Sequence, residues 1–168
     1  NGRPRIAVYK KPELALFLQE QGLAAELLKG DEWTDKLKSF DVLCVQSASL
    51  SLEKDVPAIQ DFIRNGVGLV SADLGWGWSQ LNPGKDLVQA HPGNPLLRPA
   101  GSAWADGYLS RTSENGYAVE GTPSELCHAA RALDALMGYN KQEISLDETE
   151  VKQAAGIVSR AIRSLPLD

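Results

Sequence analysis

Four short apolar runs in the first 71 residues alternate with stretches of helical spacing, and this alternation constrains the fold more than any other feature of the chain. Arg5-Ile-Ala-Val-Tyr9 is β-prone and is closed by Lys10-Lys11-Pro12, with Pro12 placed for the first turn of a helix reaching Gln21. Leu14, Phe17 and Leu18 recur at helical spacing within that helix, and Gly22 can cap it. Ala24 to Leu28 reads as a second strand, Asp31 to Phe40 as a short polar helix or loop, and Asp41 to Gln46 as a third strand apolar enough to be central. Ser47 to Ser51 is a loop of small residues at that strand's carboxyl end. Ala58 to Gly66 then reads as a helix with a glycine cap, and Val67, Leu69 and Val70 as a fourth buried strand.

Strands alternating with helices at this spacing predict a parallel sheet wrapped on both faces. The expected architecture is α/β, a three-layer flavodoxin-like fold with right-handed crossovers and C-terminal helices. At 168 residues and 43% hydrophobic content, the chain can bury one substantial core. A net charge of −5 without a Lys/Arg cluster argues against a nucleic-acid partner or an anionic membrane surface. No apolar run approaches membrane-spanning length, so membrane insertion is not expected. The sequence starts at Asn1 with no leader pattern, which suggests processing or excision from a longer protein.

From Gly75 to Gly101 the periodicity dissolves into a long loop rich in Gly, Pro, Asn and Trp, and loops of that length tend to be functional or pinned by packing. A fifth strand is predicted over Ala103–Leu109. Thr122-Pro123-Ser124-Glu125 signals the start of a helix reaching about Met137, and Asp147 to Ser164 forms another. Ala154, Ile157, Val158, Ala161 and Ile162 make an apolar stripe on the last helix.

The end of the fourth strand is where chemistry would be sought. Asp73 follows that strand at the carboxyl edge of the sheet, with Gly75 and Gly77 just beyond, in the manner of a strand-to-turn elbow. The elbow resembles that of class I glutamine amidotransferases, which carry a Cys where this chain has Asp73. Such an enzyme needs a thiolate and a His base. Cys44 lies within the apolar run Val42-Leu-Cys-Val45 and reads as a small buried hydrophobe. Cys127 and His128 are neighbours on a predicted helix, where their side chains splay about 100° apart. Spacing leaves open whether the two cysteines pair. The expected division is an amidotransferase-like α/β domain over residues 1–140. Residues 141–168 would be a C-terminal helix that packs on it or leads into the next domain.

Several short motifs occur in order: Phe62-Ile-Arg-Asn-Gly66-Val-Gly68, Gly75-Trp76-Gly-Trp78-Ser, Asn82-Pro-Gly84-Lys-Asp86, His91-Pro-Gly93-Asn94-Pro, then Ala100-Gly101. The order, over about Asp55 to Tyr108, resembles the non-catalytic amidotransferase-like domain that precedes the catalytic domain of enhancin-like zinc metallopeptidases. The same domain type occurs in TRP-channel-associated factors. The chain departs from the usual pattern in having Val67 within the glycine run.

The resemblance implies an accessory domain of a secreted, virulence-type peptidase acting on O-glycosylated, mucin-type proteins. Its zinc would sit in the parent's catalytic domain, and its partners would be other domains of the same polypeptide and host glycoproteins. No H-E-x-x-H occurs here: His91 is followed by Pro-Gly and His128 by Ala-Ala-Arg, so peptidase chemistry and any cofactor belong outside this segment. The alternative is a free-standing amidotransferase-like hydrolase using Asp73.

Asp73, Trp76, Trp78, Trp104 and Asn94 are the candidate ligand or glycan contacts. The Trp side chains suit a sugar ring, but the favoured reading is that they cover the open end of the sheet and hold the long loop down. Asp73 has no evident second acid or base and fits a turn carboxylate receiving loop amides. Asn82 and Asn94 adjoin prolines, which favours turns, and Lys85-Asp86 reads as a surface ion pair. Gly75-x-Gly77 lacks the third glycine of a nucleotide loop.

Overall fold

A computed structural model describes residues 2–108, 111, 113, 114, 116, 117 and 120–165. The chain separates into two compact units, residues 1–74 with 84–104, and residues 75–83 with 105–168.

The first unit carries the sheet. Strands β1 (Arg5–Tyr9), β2 (Ala24–Leu28), β3 (Val42–Val45) and β4 (Gly68–Ser71) are all parallel, in the order β2-β1-β3-β4. Helix α1 (Pro12–Glu20) links β1 to β2, a 3-10 helix over Trp33–Ser39 links β2 to β3, and α2 (Asp55–Arg64) links β3 to β4. The flavodoxin-like expectation holds in order, parallelism and layering.

Side-chain alternation divides the sheet into two faces. Ala7, Tyr9, Leu43 and Val45 point into a core built with Trp33, Leu37, Ile59, Phe62 and Leu96. Ile6, Val8 and Cys44 point the other way, against Ala15 and Leu18 of α1. Tyr9 and Trp33 stack with ring centroids 3.9 Å apart, and the Trp33 indole N–H donates to Asp55 Oδ1 at 3.1 Å. Asp55 Oδ2 also accepts from the Ser51 amide at 2.8 Å, so this buried carboxylate ties the start of α2 to the core around Trp33. Gly66 ends α2 with φ +85°, a conformation that costs a residue with a side chain, and Val67 then turns into the core beside Leu69.

Two expectations are corrected here. Residues 75–101 are not an irregular loop: they form α3 (Gly75–Leu81), α4 (Leu87–Ala90), α5 (Gly93–Leu97) and a 3-10 turn over Arg98–Ala100. Glycine, proline and asparagine hide such helices because tertiary packing overrides their low intrinsic propensity. No strand forms over residues 103–108, and Leu109 lies outside the described residues. Both backbone polar groups of Trp104 are taken by the Asn94 side chain, which leaves them unable to join a ladder.

The second unit is mostly a helical pair, α6 (Ala129–Asn140) and α7 (Glu148–Arg163), around Leu126, Ala132 and Ala154. A capping box starts α7: the Glu150 amide donates to Asp147 Oδ1 at 2.8 Å, and the Asp147 amide to Glu150 Oε2 at 2.9 Å. Of the expected apolar stripe, Ala154, Ile157 and Val158 pack, whereas Ile162 is exposed. The helix expected from Thr122 is broken. Ser124 caps a 3-10 turn over Glu125–Cys127, and His128 is the extended N-cap of α6, so Cys127 and His128 share no helix. Residues 166–168, the end of the expected C-terminal segment, lie outside the described residues.

Candidate functional site

In an open parallel sheet of this order, ligands meet the carboxyl ends of the strands. Ser47, Ala48, Ser71 and Asp73 emerge there from β3 and β4, and the 84–104 excursion brings His91, Asn94 and Trp104 to them.

Asp73 lies one residue past the last ladder bond, Ala72 N–H to Val45 O at 3.1 Å. Its carboxylate accepts from the Ala48 amide and, at 2.8 Å, from the Leu74 amide. His91 Nε2 stands 3.3 Å from Asp73 Oδ2, and the side chains are 0% and 4% exposed. His91 Nδ1 accepts from the Gly93 amide at 3.0 Å, which assigns the imidazole proton to Nε2, facing the carboxylate. At that separation the contact is chiefly attraction between the N–H dipole and the carboxylate. Burial pushes the Asp73 carboxyl up, but the facing His91 N–H and the bonds from the Leu74 and Ala48 amides outweigh it and hold the group below the usual carboxylate range. Asp73 therefore receives loop amides as the sequence suggested. It also has a basic partner, which the sequence reading missed because His91 lies in the segment taken for a loop.

Asn94, 1% exposed, is the second tie. Its Nδ2 donates to Leu87 O at 2.9 Å and to Trp104 O at 3.3 Å, and its Oδ1 accepts from the Trp104 amide at 2.6 Å. The Trp104 indole N–H then reaches Ser47 Oγ at 3.0 Å, and Ser47 bonds Ser71 Oγ at 2.7 Å. Gly93 lies between: a Cβ there would stand 2.6 Å from the Trp104 ring and 2.7 Å from Ser47 Cβ. The His91-Pro-Gly-Asn94 motif thus packs one loop onto the sheet's end with no room for a side chain at its third position.

The other candidates are placed separately. Asp86 accepts from the Val88 amide at 2.9 Å and caps α4. In the second unit, Asn82 Nδ2 donates to Trp78 O at 3.0 Å. Trp76, 39% exposed, tilts against Tyr108, 65% exposed, at 5.5 Å between ring centroids. Trp76, Trp78 and Trp104 do not belong to one unit, Trp104 being in the first. Cys44 is buried and burial raises its thiol pKa, while Cys127 is exposed; both are free thiols. Among the described residues no three His, Cys, Asp or Glu side chains converge as a metal site, and no helix is long and apolar enough to cross a membrane.

A profile of the TCAF_N family, described as "TRPM8, N-terminal domain", matches residues 6–117. The chain belongs to this family. As a TCAF_N member it is similar to the TRPM8 channel-associated factor homolog of Xenopus laevis, 33% identical over 86 residues, which are 49% of this chain and 9% of that protein. It is also similar to TRPM8 channel-associated factor 2 of Bos taurus, 30% identical over 59 residues, 35% of this chain and 6% of the relative. The human factor of the same name is 33% identical over 55 residues, 33% of this chain and 6% of the relative. The matched parts thus span under a tenth of these relatives. No solved structure matches.

These kinships correct the functional expectation. The channel-associated-factor side of the resemblance stands, and the enhancin-like peptidase side is not supported. The reading as an accessory domain of a secreted, mucin-active metallopeptidase is overturned, together with its secreted location and virulence role. The alternative of a free-standing amidotransferase-like hydrolase using Asp73 is likewise unsupported, because the family and these relatives are named for channel association. The sequence motifs were common to both branches of the resemblance, and the family match decides between them.

Proposed function

We propose that this chain is a protein-association module of the channel-associated-factor kind, contributing a rigid α/β scaffold to contact with a TRP-type channel. The observation that carries the reading is the family match over residues 6–117, joined to a carboxyl sheet edge whose polar groups serve one another. Asp73 meets two amides and a histidine, and Ser47 meets Ser71 and Trp104, so the groups that other α/β proteins aim at a ligand here hold loops. The exposed Trp76–Tyr108 pair supplies contact of the type that dominates protein interfaces, large aromatic area at low entropic cost.

The test is binding of the purified chain to detergent-solubilised TRPM8 immobilised on a biosensor. Saturable binding, weakened at least about tenfold in Trp76→Ala with Tyr108→Ala, supports the proposal. Absence of binding up to about 100 µM, a Kd worth roughly −5.5 kcal/mol, overturns it.

A further inference from the structure

His91 holds the 84–104 excursion through a proton arrangement that only the neutral imidazole satisfies. The Gly93 amide donates to Nδ1 at 3.0 Å while Nε2 faces Asp73 Oδ2 at 3.3 Å, so one ring nitrogen accepts and the other carries the proton. An imidazolium donates from both nitrogens. A second proton would set Nδ1–H and the Gly93 N–H, two donors, against each other at hydrogen-bond distance around a side chain that is 0% exposed. Asp73 acts in the opposite sense. Burial works against its charge, but the facing His91 and the Leu74 and Ala48 amides keep the carboxylate ionised in weak acid, where it attracts a positive imidazole. The other charged side chains around the pair are engaged or set beside it. Asp86 and Arg98 bond the amide and the carbonyl of Val88, and Lys11 and Glu13 of α1 line the same groove as Asp73.

Gly93 cannot give way alone. A Cβ on it would stand 2.6 Å from the Trp104 ring and 2.7 Å from Ser47 Cβ, and Asn94, the next residue, holds both backbone polar groups of Trp104. Turning the Gly93 amide off Nδ1 therefore carries Asn94 and Trp104 with it and loosens the Trp104 indole bond to Ser47. We infer that His91 is an acid-sensitive latch: on taking a proton at Nδ1 it keeps Asp73 as an ion pair and releases the 93–104 segment from the end of the sheet. The contact to β4 is strengthened and the contact to α5 is given up. All these residues belong to the first unit, and the inference is independent of channel association.

NMR of the isotope-labelled chain, scanned from about pH 8 to about pH 4.5, tests it through the ring nitrogens of His91 and the exchange of the Gly93 and Trp104 amides. His128, the other histidine, is exposed and serves as the reference for a ring outside the latch. Once the His91 imidazolium forms, those two amides should exchange at least about tenfold faster after correction for intrinsic rate, while the β1 and β3 amides keep their protection. His91→Asn should abolish this opening, because its side-chain oxygen can accept from the Gly93 amide as in an Asx turn and takes no proton. If that variant fails to fold, the wild-type scan decides alone. An imidazolium at His91 that leaves the Gly93 and Trp104 amides as protected as at neutral pH overturns the inference, and so does a His91 that takes no proton before the sheet itself unfolds. An acid opening that persists in His91→Asn also overturns it, since another group would then be its cause.

Discussion

His91 Nε2 faces Asp73 Oδ2 across 3.3 Å, the two side chains 0% and 4% exposed, and between them they join the end of β4 to the start of α5. The arrangement has two parts of a hydrolytic triad, an acid and an imidazole, but the second imidazole nitrogen is taken by the Gly93 amide, from which it accepts. The geometry fixes a loop.

Asp73→Ala removes the acceptor for the Ala48 and Leu74 amides and the carboxylate that faces His91 Nε2. The expected loss is about 2–3 kcal/mol in urea unfolding. Stability should also fall with acid. The folded-state pKa of Asp73 is depressed, so its contribution is fully present above the unfolded value of about 3.9 and is lost as pH falls through the lower folded value. Wild type should therefore lose stability below about pH 4 more steeply than Asp73→Ala. Unfolding midpoints measured from pH 7 to pH 2 check both statements.

Gly93→Ala puts a methyl group into the Trp104 ring and Ser47, neither of which is free to retreat. The cost should be about 1–3 kcal/mol, with a change in Trp fluorescence that Gly101→Ala, where a Cβ meets nothing, does not reproduce.

Asn94→Ala strands the N–H and C=O of Trp104 and takes one of two donors from Leu87 O, which keeps the His91 amide. A loss of about 2–3 kcal/mol is expected, and Asn94→Asp should recover little, since the carboxylate can accept from the Trp104 amide but donate to neither carbonyl.

Of the two free thiols, Cys127 is exposed, whereas Cys44 is buried with a raised pKa. A thiol reagent at neutral pH should titrate about one thiol in the native chain and a second only on adding denaturant. Rapid native reaction of both would contradict the packing of Cys44 beneath α1.

The first four strands and α1 and α2 were legible because local pattern and tertiary role agree there: the apolar runs of β1 and β3 are buried on both faces and Gly66 sits where a left-handed residue is needed, whereas β4, read as a buried strand, leaves Val70 55% exposed. Residues 75–101 were not, since α3, α4 and α5 are short and depend on contacts from residues far along the chain. Asp73 was legible as a loop-amide acceptor from its position after a strand. Its pairing with His91 was not, because no spacing rule links positions 18 apart across a loop of unknown path. The fifth strand failed for a specific reason: β-prone Trp104 is intercepted by Asn94 ten residues earlier.

The measurement that tests the architectural account most directly is a double-mutant cycle in urea unfolding with Asp73→Ala, His91→Ala and the double variant. The account predicts a coupling energy of about 1–3 kcal/mol between the two side chains. Single losses that simply add, with no coupling, would contradict it.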